Sequence, residues 1–237
     1  GTRTLIGMIS RRDILSDTDE EQLALLMTTD VATLTPDAPI EECIRLMVSR
    51  GFRRIPVTDG AGKELAGIVT VGDIVHKVVA KSDSKVKVKD LMRRTVVCCW
   101  SNTPVPLLKK ILQMSGECAL LALDDEEKIV GLLSETDLIN LMESKIEEKA
   151  SLLKSGSSQE WDWETSSVLY ITKAKAALPP VPLHQVMVSQ YATISESASI
   201  IECAQKMQKL DINQMPVTDA KGEIVGMICD EDLLKSL

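Results

Sequence analysis

Aromatic side chains are scarce in this chain of 237 residues, in which one Phe, two Tyr and three Trp accompany a hydrophobic content of 44%. A folded core must therefore be aliphatic, built from Val, Ile, Leu, Met and Ala. The same scarcity argues against a platform for single-stranded nucleic acid, because such platforms stack bases on aromatic rings. A formal charge of −8 argues further against general nucleic-acid binding, which needs a basic surface to neutralise phosphates.

Long apolar runs and metal-binding patterns are absent as well. No run approaches the roughly 18–20 residues that span a bilayer, and no signal-peptide pattern is visible, so the sequence predicts a cytoplasmic protein without membrane contact. The six Cys have no C-x-x-C spacing and only two His accompany them, so we expect neither a metal site nor a disulfide framework. Small buried thiols in a reducing compartment are the simplest interpretation.

The charge is distributed unevenly along the chain. All nine Arg fall within residues 1–94, which carry a net charge of +1, whereas residues 95–237 carry −9. An anion-binding site is therefore expected in the first half.

An internal repeat organises the sequence. Met27–Asp59 aligns without a gap on Met187–Asp219 with 12 identities in 33 positions, and Met92–Asp124 fits the same frame more loosely. Each copy is followed by a glycine that opens a second signature, Gly-Φ-Φ-x-x-x-Asp, and one further occurrence stands near the N-terminus without its upstream half. In chain order these signatures are Gly7–Asp13, Gly67–Asp73, Gly131–Asp137 and Gly226–Asp232. We number the repeats 1 to 4 in that order, with expected bounds 1–16, 21–80, 86–142 and 183–237.

The periodicities within repeat 2 predict a β-α-β-β-α unit. A short strand over Val31–Leu34 precedes a helix of apolar positions that begins near Ile40. The segments Arg54–Thr58 and Leu65–Thr70 read as the two strands of a hairpin, and a second helix starts at Gly72.

The element order, the Φ-Pro-Val-x-Asp strand and the Gly-Φ-Φ-[Ser/Thr]-x-x-Asp ending resemble CBS domains, the small repeats named after cystathionine β-synthase. The motif strand appears as Ile55–Asp59 and as Met215–Asp219. The resemblance implies a mixed α+β fold, of α/β type, in which repeats pair as pseudo-twofold modules, repeat 1 with 2 and repeat 3 with 4. Repeat 1 lacks its first strand, first helix and second strand in this sequence, so its own pocket is incomplete here.

Residues 143–182 form an inserted linker between repeats 3 and 4. A charged helix is predicted for Glu143–Lys154, a flexible break for Ser155–Ser158 and a stiff extended segment for Leu178–Pro182. The linker contains Trp161, Trp163 and Tyr170. These aromatics would pack on a module or a dimer partner; a cap over a cleft and a docking surface for an effector protein are the alternatives.

The [Ser/Thr]-x-x-Asp ending permits two interpretations. It is an ordinary helix N-cap in which the Asp carboxylate and the hydroxyl satisfy free backbone amides. The same geometry offers a hydroxyl and amides to a phosphate and a carboxylate to the hydroxyls of a ribose. The CBS resemblance implies the second role, with the Asp on the ribose and the Ser or Thr on the phosphate.

Repeat 2 is the best candidate for a ligand site. Arginine can contact a phosphate in bidentate fashion, although an ordinary solvated pair is the alternative for Arg53 and Arg54. The partner repeat could face the same cleft. The expected ligand-binding residues are Thr33, Arg53, Arg54, Ile55, Pro56, Val57, Thr70 and Asp73 of repeat 2, with Ser10, Arg11, Arg12 and Asp13 of repeat 1.

Repeats 3 and 4 depart from the motif. Cys229 replaces the hydroxyl of repeat 4, and Asn213 and Gln214 replace the arginines. In repeat 3, Cys98 replaces the threonine of the first strand, and Cys118–Ala122 stands where the Pro-Val strand is expected. Weaker secondary sites are expected at Ser134, Asp137, Thr193, Met215, Pro216, Val217 and Asp232.

Nothing in the sequence matches a catalytic triad or a Walker-type phosphate loop, so we expect no enzyme activity and no catalytic residues or cofactor. The leading hypothesis is a regulatory sensor that binds AMP, ADP or ATP between paired repeats and acts on an effector protein, as a homodimer. The alternatives are an oligomerisation scaffold with a vestigial cleft, binding of S-adenosylmethionine and, least favoured by the charge, nucleic-acid binding.

Overall fold

The structure is a computed structural model that describes residues 4–16, 20, 22–59, 64–153 and 167–237. Within these residues it contains nine α-helices, ten β-strands and three short 3₁₀ turns. The helices are α1 Arg11–Ser16, α2 Leu23–Leu26, α3 Ile40–Arg50, α4 Val71–Lys77, α5 Val88–Leu91, α6 Val105–Ser115, α7 Glu135–Asn140, α8 Ile200–Leu210 and α9 Asp230–Leu233. The strands are β1 Arg54–Thr58, β2 Leu65–Thr70, β3 Cys98–Trp100, β4 Ala119–Leu123, β5 Ile129–Ser134, β6 Glu143–Leu153, β7 Ser167–Ala177, β8 Ile194–Ser195, β9 Gln214–Thr218 and β10 Ile224–Cys229. The turns cover Val79–Lys81, Leu183–Gln185 and Leu234–Ser236.

Repeats 2, 3 and 4 are each built on an antiparallel hairpin, formed by β1 and β2, by β4 and β5, and by β9 and β10. The predicted strands of repeat 2 are confirmed with the same bounds. In repeats 3 and 4 a third strand lies parallel to the first strand of the hairpin, β3 beside β4 and β8 beside β9. The mixed α+β fold expected from the sequence is therefore confirmed.

The predicted strand Val31–Leu34 is shorter than expected. It is reduced to a single parallel bridge between Leu34 and Val57, where the Leu34 amide donates to the Pro56 carbonyl over 3.1 Å. Pro36 follows two residues later and has no amide with which to extend the pairing.

The helix of repeat 2 begins where the apolar spacing predicted, at Ile40, and it buries Cys43 and Met47. It ends at Gly51, which has φ +68°, a left-handed conformation that glycine adopts without strain. The chain thus reverses within a few residues and enters β1 at Arg54.

The prediction of a helix over Glu143–Lys154 is wrong. Residues Glu143–Leu153 form β6, which pairs antiparallel with β7 in a regular register from Glu143 opposite Ala177 to Leu153 opposite Ser167. The partner strand contains the run from Val168 to Thr172, rich in β-branched and aromatic residues that favour strands, and its pairing outweighs the weak helical spacing of the first segment. The predicted break at 155–158 and the two Trp of the linker lie outside the described residues.

Isolated antiparallel backbone bridges, here called crossings, join the repeats in pairs. Met8 of repeat 1 exchanges backbone hydrogen bonds of 2.9 Å with Thr28 at the start of repeat 2. Repeats 3 and 4 are joined twice in the same way, by Leu132 with Val188 and by Arg93 with Met227. The start of a repeat therefore crosses the last strand of its neighbour.

The buried hydrophobic side chains of the described residues are all aliphatic or sulfur-containing, as the composition predicted. One cluster joins the helices of repeats 2 and 4, with Ile74 and Met207 among its fully buried members. A second joins Leu15 of α1 to Leu138 and its neighbours in repeat 3. A third lies between the hairpins of repeats 3 and 4. Each repeat thus contacts one neighbour through strands and another through helices. No described helix combines the length and the apolar character needed to cross a membrane.

Candidate functional site

The [Ser/Thr]-x-x-Asp signatures are capping boxes at the start of α4 and α7. In repeat 2 the Thr70 hydroxyl donates to the Asp73 carboxylate over 2.7 Å and accepts from the Asp73 amide over 3.1 Å. Ser10 with Asp13 and Ser134 with Asp137 make the same pair of bonds. The capping interpretation is therefore confirmed as geometry, and each carboxylate uses its Oδ2 atom for the cap.

The motif carboxylates of the four repeats differ in what their second oxygen, Oδ1, contacts. In repeat 2 Oδ1 of Asp73 binds Lys77 over 2.9 Å, and this bond together with the Thr70 hydroxyl lowers the pKa of Asp73. In repeat 1 and repeat 3, Oδ1 of Asp13 and of Asp137 meets no hydrogen-bond donor among the described residues. These two carboxylates are thus the ones with an acceptor left for a ligand.

In repeat 4 the motif carboxylate, Asp232, is bound by other side chains of the protein. Asp232 is fully buried and binds the guanidinium of Arg93 over 3.0 Å and the amine of Lys235 over 2.8 Å. Arg93 also binds Glu117 over 2.8 Å and makes a close ion pair with Glu231. Burial alone lowers the pKa of Arg93, but the surrounding anionic groups raise it above its ordinary value, so this arginine is a permanent cation. An internal guanidinium therefore takes the place that the sequence offered to a ligand beside Asp232.

A cavity of about 280 Å³, here called the Arg54 cavity, receives residues from all four repeats. Seven of the site residues expected from the sequence line it: Ser10, Arg11, Arg12, Asp13, Arg53, Arg54 and, from the secondary set, Ser134. The other residues that line it were not among the expected site residues: Met8, Thr28, Asp30, Val31, Ala32, Gly51, Phe52, Cys118, Glu135, Thr136, Asn213, Gln214 and Glu231. The crossing of Met8 over Thr28 brings the Asp13 signature of repeat 1 to the arginines of repeat 2.

Three of the four arginines in this cavity are engaged by protein groups. Arg11 donates to the Thr136 hydroxyl over 2.8 Å, and Arg12 binds Glu135 over 3.0 Å. Arg53 binds both oxygens of Asp230 over 2.7 Å and Glu231 over 2.9 Å. Arg53 therefore connects repeat 2 to the start of α9 in repeat 4.

Arg54 differs from the other three. Its guanidinium has no hydrogen bond or ion pair with any described residue. Burial, followed by the positive charges of Arg11 and Arg53, lowers the pKa of Arg54, which marks a region of positive potential. An anionic group would relieve this repulsion and supply the missing partner.

Several predicted site residues lie elsewhere. Thr70 stands opposite Arg54 in the strand register, but neither Thr70 nor Asp73 lines the Arg54 cavity or the second cavity described below. The same holds for Thr33, for the buried Ile55 and Pro56, and for Val57. The sequence indicated that Asp13 of repeat 1 could face the cleft of repeat 2, and both repeats line the Arg54 cavity. The motifs gave no signal for Glu135 and Thr136 of repeat 3 or for Glu231 of repeat 4, which line the same cavity.

A second cavity of about 440 Å³ occupies the matching position between repeats 3 and 4. It includes Ser134, Asp137 and Pro216 from the secondary set, together with Tyr191 and Asp211. Its described lining has no basic side chain, since Asn213 and Gln214 stand where repeat 2 has Arg53 and Arg54. Thr193 is absent from the lining, and Met215, Val217 and Asp232 are fully buried in the interior.

Comparison with known proteins identifies the family of repeats 2, 3 and 4. The CBS domain model matches residues 21–80, 88–144 and 183–237. The uncharacterized protein MJ1404 of Methanocaldococcus jannaschii is 26% identical over 231 residues, which are 96% of this chain and 50% of that protein. The uncharacterized protein MJ1225 of the same organism is 24% identical over 222 residues, 91% of this chain and 69% of the relative. The chain thus spans half the length of MJ1404.

Solved structures share the same arrangement of elements. A crystal structure of an uncharacterized conserved protein from Pyrococcus horikoshii superimposes with a TM-score of 0.66 at 28% identity, covering 98% of this chain and 86% of the other. The structure of MJ1225 gives a TM-score of 0.73 at 20% identity, covering 99% and 84%, and establishes likeness of fold alone. Because the three matched segments make up most of the sequence and fold as paired hairpin-and-helix units, this chain belongs to the CBS domain family.

Proposed function

We propose that the chain is a non-catalytic regulatory module that binds an adenine nucleotide of the AMP, ADP or ATP class in the Arg54 cavity. The observation that carries the proposal is that no described group binds the Arg54 guanidinium, and that the same cavity contains Asp13, whose Oδ1 atom meets no donor among the described residues. A phosphate matches the first group and the hydroxyls of a ribose match the second. The resemblance to CBS domains supports this assignment of roles.

The remaining lining suits a purine without ring stacking. Met8, Val31 and Ala32 supply aliphatic surface, and Phe52 is the one aromatic residue among the described lining. A volume of about 280 Å³ lies near the lower end of small-molecule pockets, about 300–1,000 Å³, and suits one nucleotide rather than a dinucleotide.

Arg53 offers a route by which the ligand would change the protein. Its bonds to Asp230 and Glu231 connect repeats 2 and 4 beside the cavity. A phosphate bound at Arg54 would compete for Arg53 and weaken this connection. A ligand that prefers the released arrangement would shift the population toward it and so alter a bound effector protein.

The main alternative is a scaffold with vestigial clefts, acting through oligomerisation or protein docking. It is favoured at Asp232, where Arg93 and Lys235 already neutralise the carboxylate. We expect a homodimer with either function, and the molecular mass in solution, measured with and without nucleotide, tests whether it forms.

Calorimetric titration of the chain with AMP, ADP, ATP and S-adenosylmethionine tests the proposal directly. Asp13→Asn keeps the shape of the cap but removes the charge, and we expect it to weaken nucleotide binding at least tenfold. Asp73→Asn is the matched control, since Asp73 has the same cap but lines neither cavity. Absence of binding by all four ligands would overturn the sensor function, and equal losses in the two variants would overturn the assigned cavity.

A further inference from the structure

Two cysteines from different repeats face each other across the interface of repeats 3 and 4. The Sγ atoms of Cys118 and Cys229 lie 3.0 Å apart, although the two residues are separated by 111 positions in the sequence. A disulfide bond is about 2.05 Å long, so the sulfurs need to approach by only about 1 Å.

Both backbones are held in place at this contact. The Cys118 carbonyl accepts from the Glu135 amide over 3.0 Å, and the Cys229 amide donates to Asp232 over 3.1 Å. Around them lies the third hydrophobic cluster, which includes Leu121 and Met227. The sulfurs therefore meet because the fold positions them, and not because two mobile side chains happen to touch.

Both cysteines stand at positions where other repeats have a different residue type. Cys229 occupies the N-cap position that is Ser10, Thr70 and Ser134 in the other repeats. Cys118 occupies the position of Arg53 in repeat 2. Two of the departures from the repeat pattern are thus in contact with each other.

We propose that Cys118 and Cys229 are a redox modification site that forms a reversible disulfide when the protein meets hydrogen peroxide. The Cys118 sulfur attacks one peroxide oxygen and the O–O bond breaks. The leaving hydroxide takes up the thiol proton as water, and Cys118 becomes a sulfenic acid. The Cys229 sulfur then attacks the Cys118 sulfur, an S–S bond forms, and the S–O bond breaks with release of a second water. In total, two thiols and one peroxide give one disulfide and two waters.

The order of attack follows from access. Cys118 is partly exposed and lines the Arg54 cavity, through which a small peroxide can reach it, whereas Cys229 is fully buried. The hydrogen bond with Cys118 and burial raise the pKa of the Cys229 thiol well above its usual value, so Cys229 is poorly suited to react first. Closure of the bond would tie repeat 3 to repeat 4 in the wall of the cavity.

Peptide mapping of the full chain tests the proposal. Reduced protein is treated with hydrogen peroxide, unreacted thiols are alkylated after unfolding, and the digest is analysed without reductant. We expect a linked Cys118–Cys229 peptide, four alkylated thiols of the six in the chain, and full reversal by dithiothreitol. Cys118→Ser should retain five alkylated thiols after treatment, and Cys98→Ser, which removes an exposed thiol outside the contact, should still form the link.

Other results would overturn the assignment. These are six alkylated thiols in treated wild-type protein, a link that maps to another pair such as Cys98 and Cys99, or oxidation that accumulates on one cysteine without a link. The wild-type map decides the matter even if Cys118→Ser fails to fold. The outcome is independent of nucleotide binding, so failure here and failure of the proposed sensor function are distinguishable.

Discussion

Gly226 lies so close to Arg93 that a β-carbon on the glycine would stand 2.5 Å from the Arg93 carbonyl oxygen. The two residues meet where the start of repeat 3 crosses β10, at the backbone bridge between Arg93 and Met227. Gly131 has the corresponding place against Met187, with a β-carbon 2.4 Å from the sulfur. In repeats 3 and 4 the glycine that opens the signature is therefore explained by the close approach of two chain segments, which leaves no space for a side chain.

Gly226→Ala should destabilise the protein by about 1–3 kcal/mol, because the Arg93 backbone has to shift to admit the methyl group. Gly67→Ala is the matched control, since a β-carbon at this equivalent position would meet nothing within 4 Å. We expect the control to change the free energy of unfolding by less than about 0.5 kcal/mol. Urea unfolding measures both variants, and equal losses in the two would contradict the crossing as the reason for the glycine.

Arg93→Ala should destabilise the protein by about 3 kcal/mol, because it removes the main partner of a carboxylate that is fully buried. Lys235 remains to neutralise Asp232 in part. The neighbouring Arg94→Ala removes an exposed arginine of the same charge and should have little effect on unfolding. If thermal denaturation gave the two variants similar midpoints, the Arg93 network would have no structural importance.

The repeat pattern predicted the hairpins of repeat 2 with their bounds because strand alternation and turn residues are local signals. The pairing of repeats indicated that Asp13 could share a cleft with Arg54, but it could not predict that repeats 3 and 4 also line the Arg54 cavity, since contacts such as Arg11 with Thr136 join distant parts of the chain. Nor does the sequence reveal that Arg93 engages the motif carboxylate of Asp232, because the two residues are 139 positions apart. Asp73 and Lys77, by contrast, are four positions apart on one helix, a spacing at which opposite charges pair.

The prediction of a helix over Glu143–Lys154 in the linker was wrong for a related reason. Ile146 and Ala150 are four positions apart, a spacing that suits a helix, whereas the opposing segment favours a strand. Because the first segment pairs with β7, it is a strand as well. Local preference is a weak guide where the partner of a segment lies beyond an intervening stretch of sequence.

The capping box of α4 predicts a pH dependence. The Thr70 hydroxyl and Lys77 hold the pKa of Asp73 below its ordinary value of about 3.9. Since the folded value is the lower one, the stabilisation is present above about pH 4 and is lost as the pH falls through the folded pKa. Thr70→Ala should raise the pKa of Asp73 toward its ordinary value and reduce stability at neutral pH by about 1 kcal/mol.

An NMR titration of the Asp73 carboxyl carbon checks this prediction. Ser199→Ala provides a control, because it removes a similar cap from α8 without touching Asp73. An Asp73 pKa that moved equally in both variants would indicate a general loss of structure and would contradict the local cause.

The proposed role of Arg54 makes a prediction that separates phosphate recognition from binding of the rest of a nucleotide. Arg54→Ala should weaken AMP binding about 10- to 100-fold, the effect of losing a hydrogen bond to a charged group worth about 1.5–3 kcal/mol, while adenosine affinity changes little. Arg50→Ala, an exposed arginine at the end of α3, is the matched control for loss of net positive charge. Arg54→Lys should restore only part of the AMP affinity, because an ammonium group cannot reproduce a bidentate contact. An equal loss of AMP and adenosine affinity in Arg54→Ala would mean that Arg54 shapes the cavity and does not contact the phosphate.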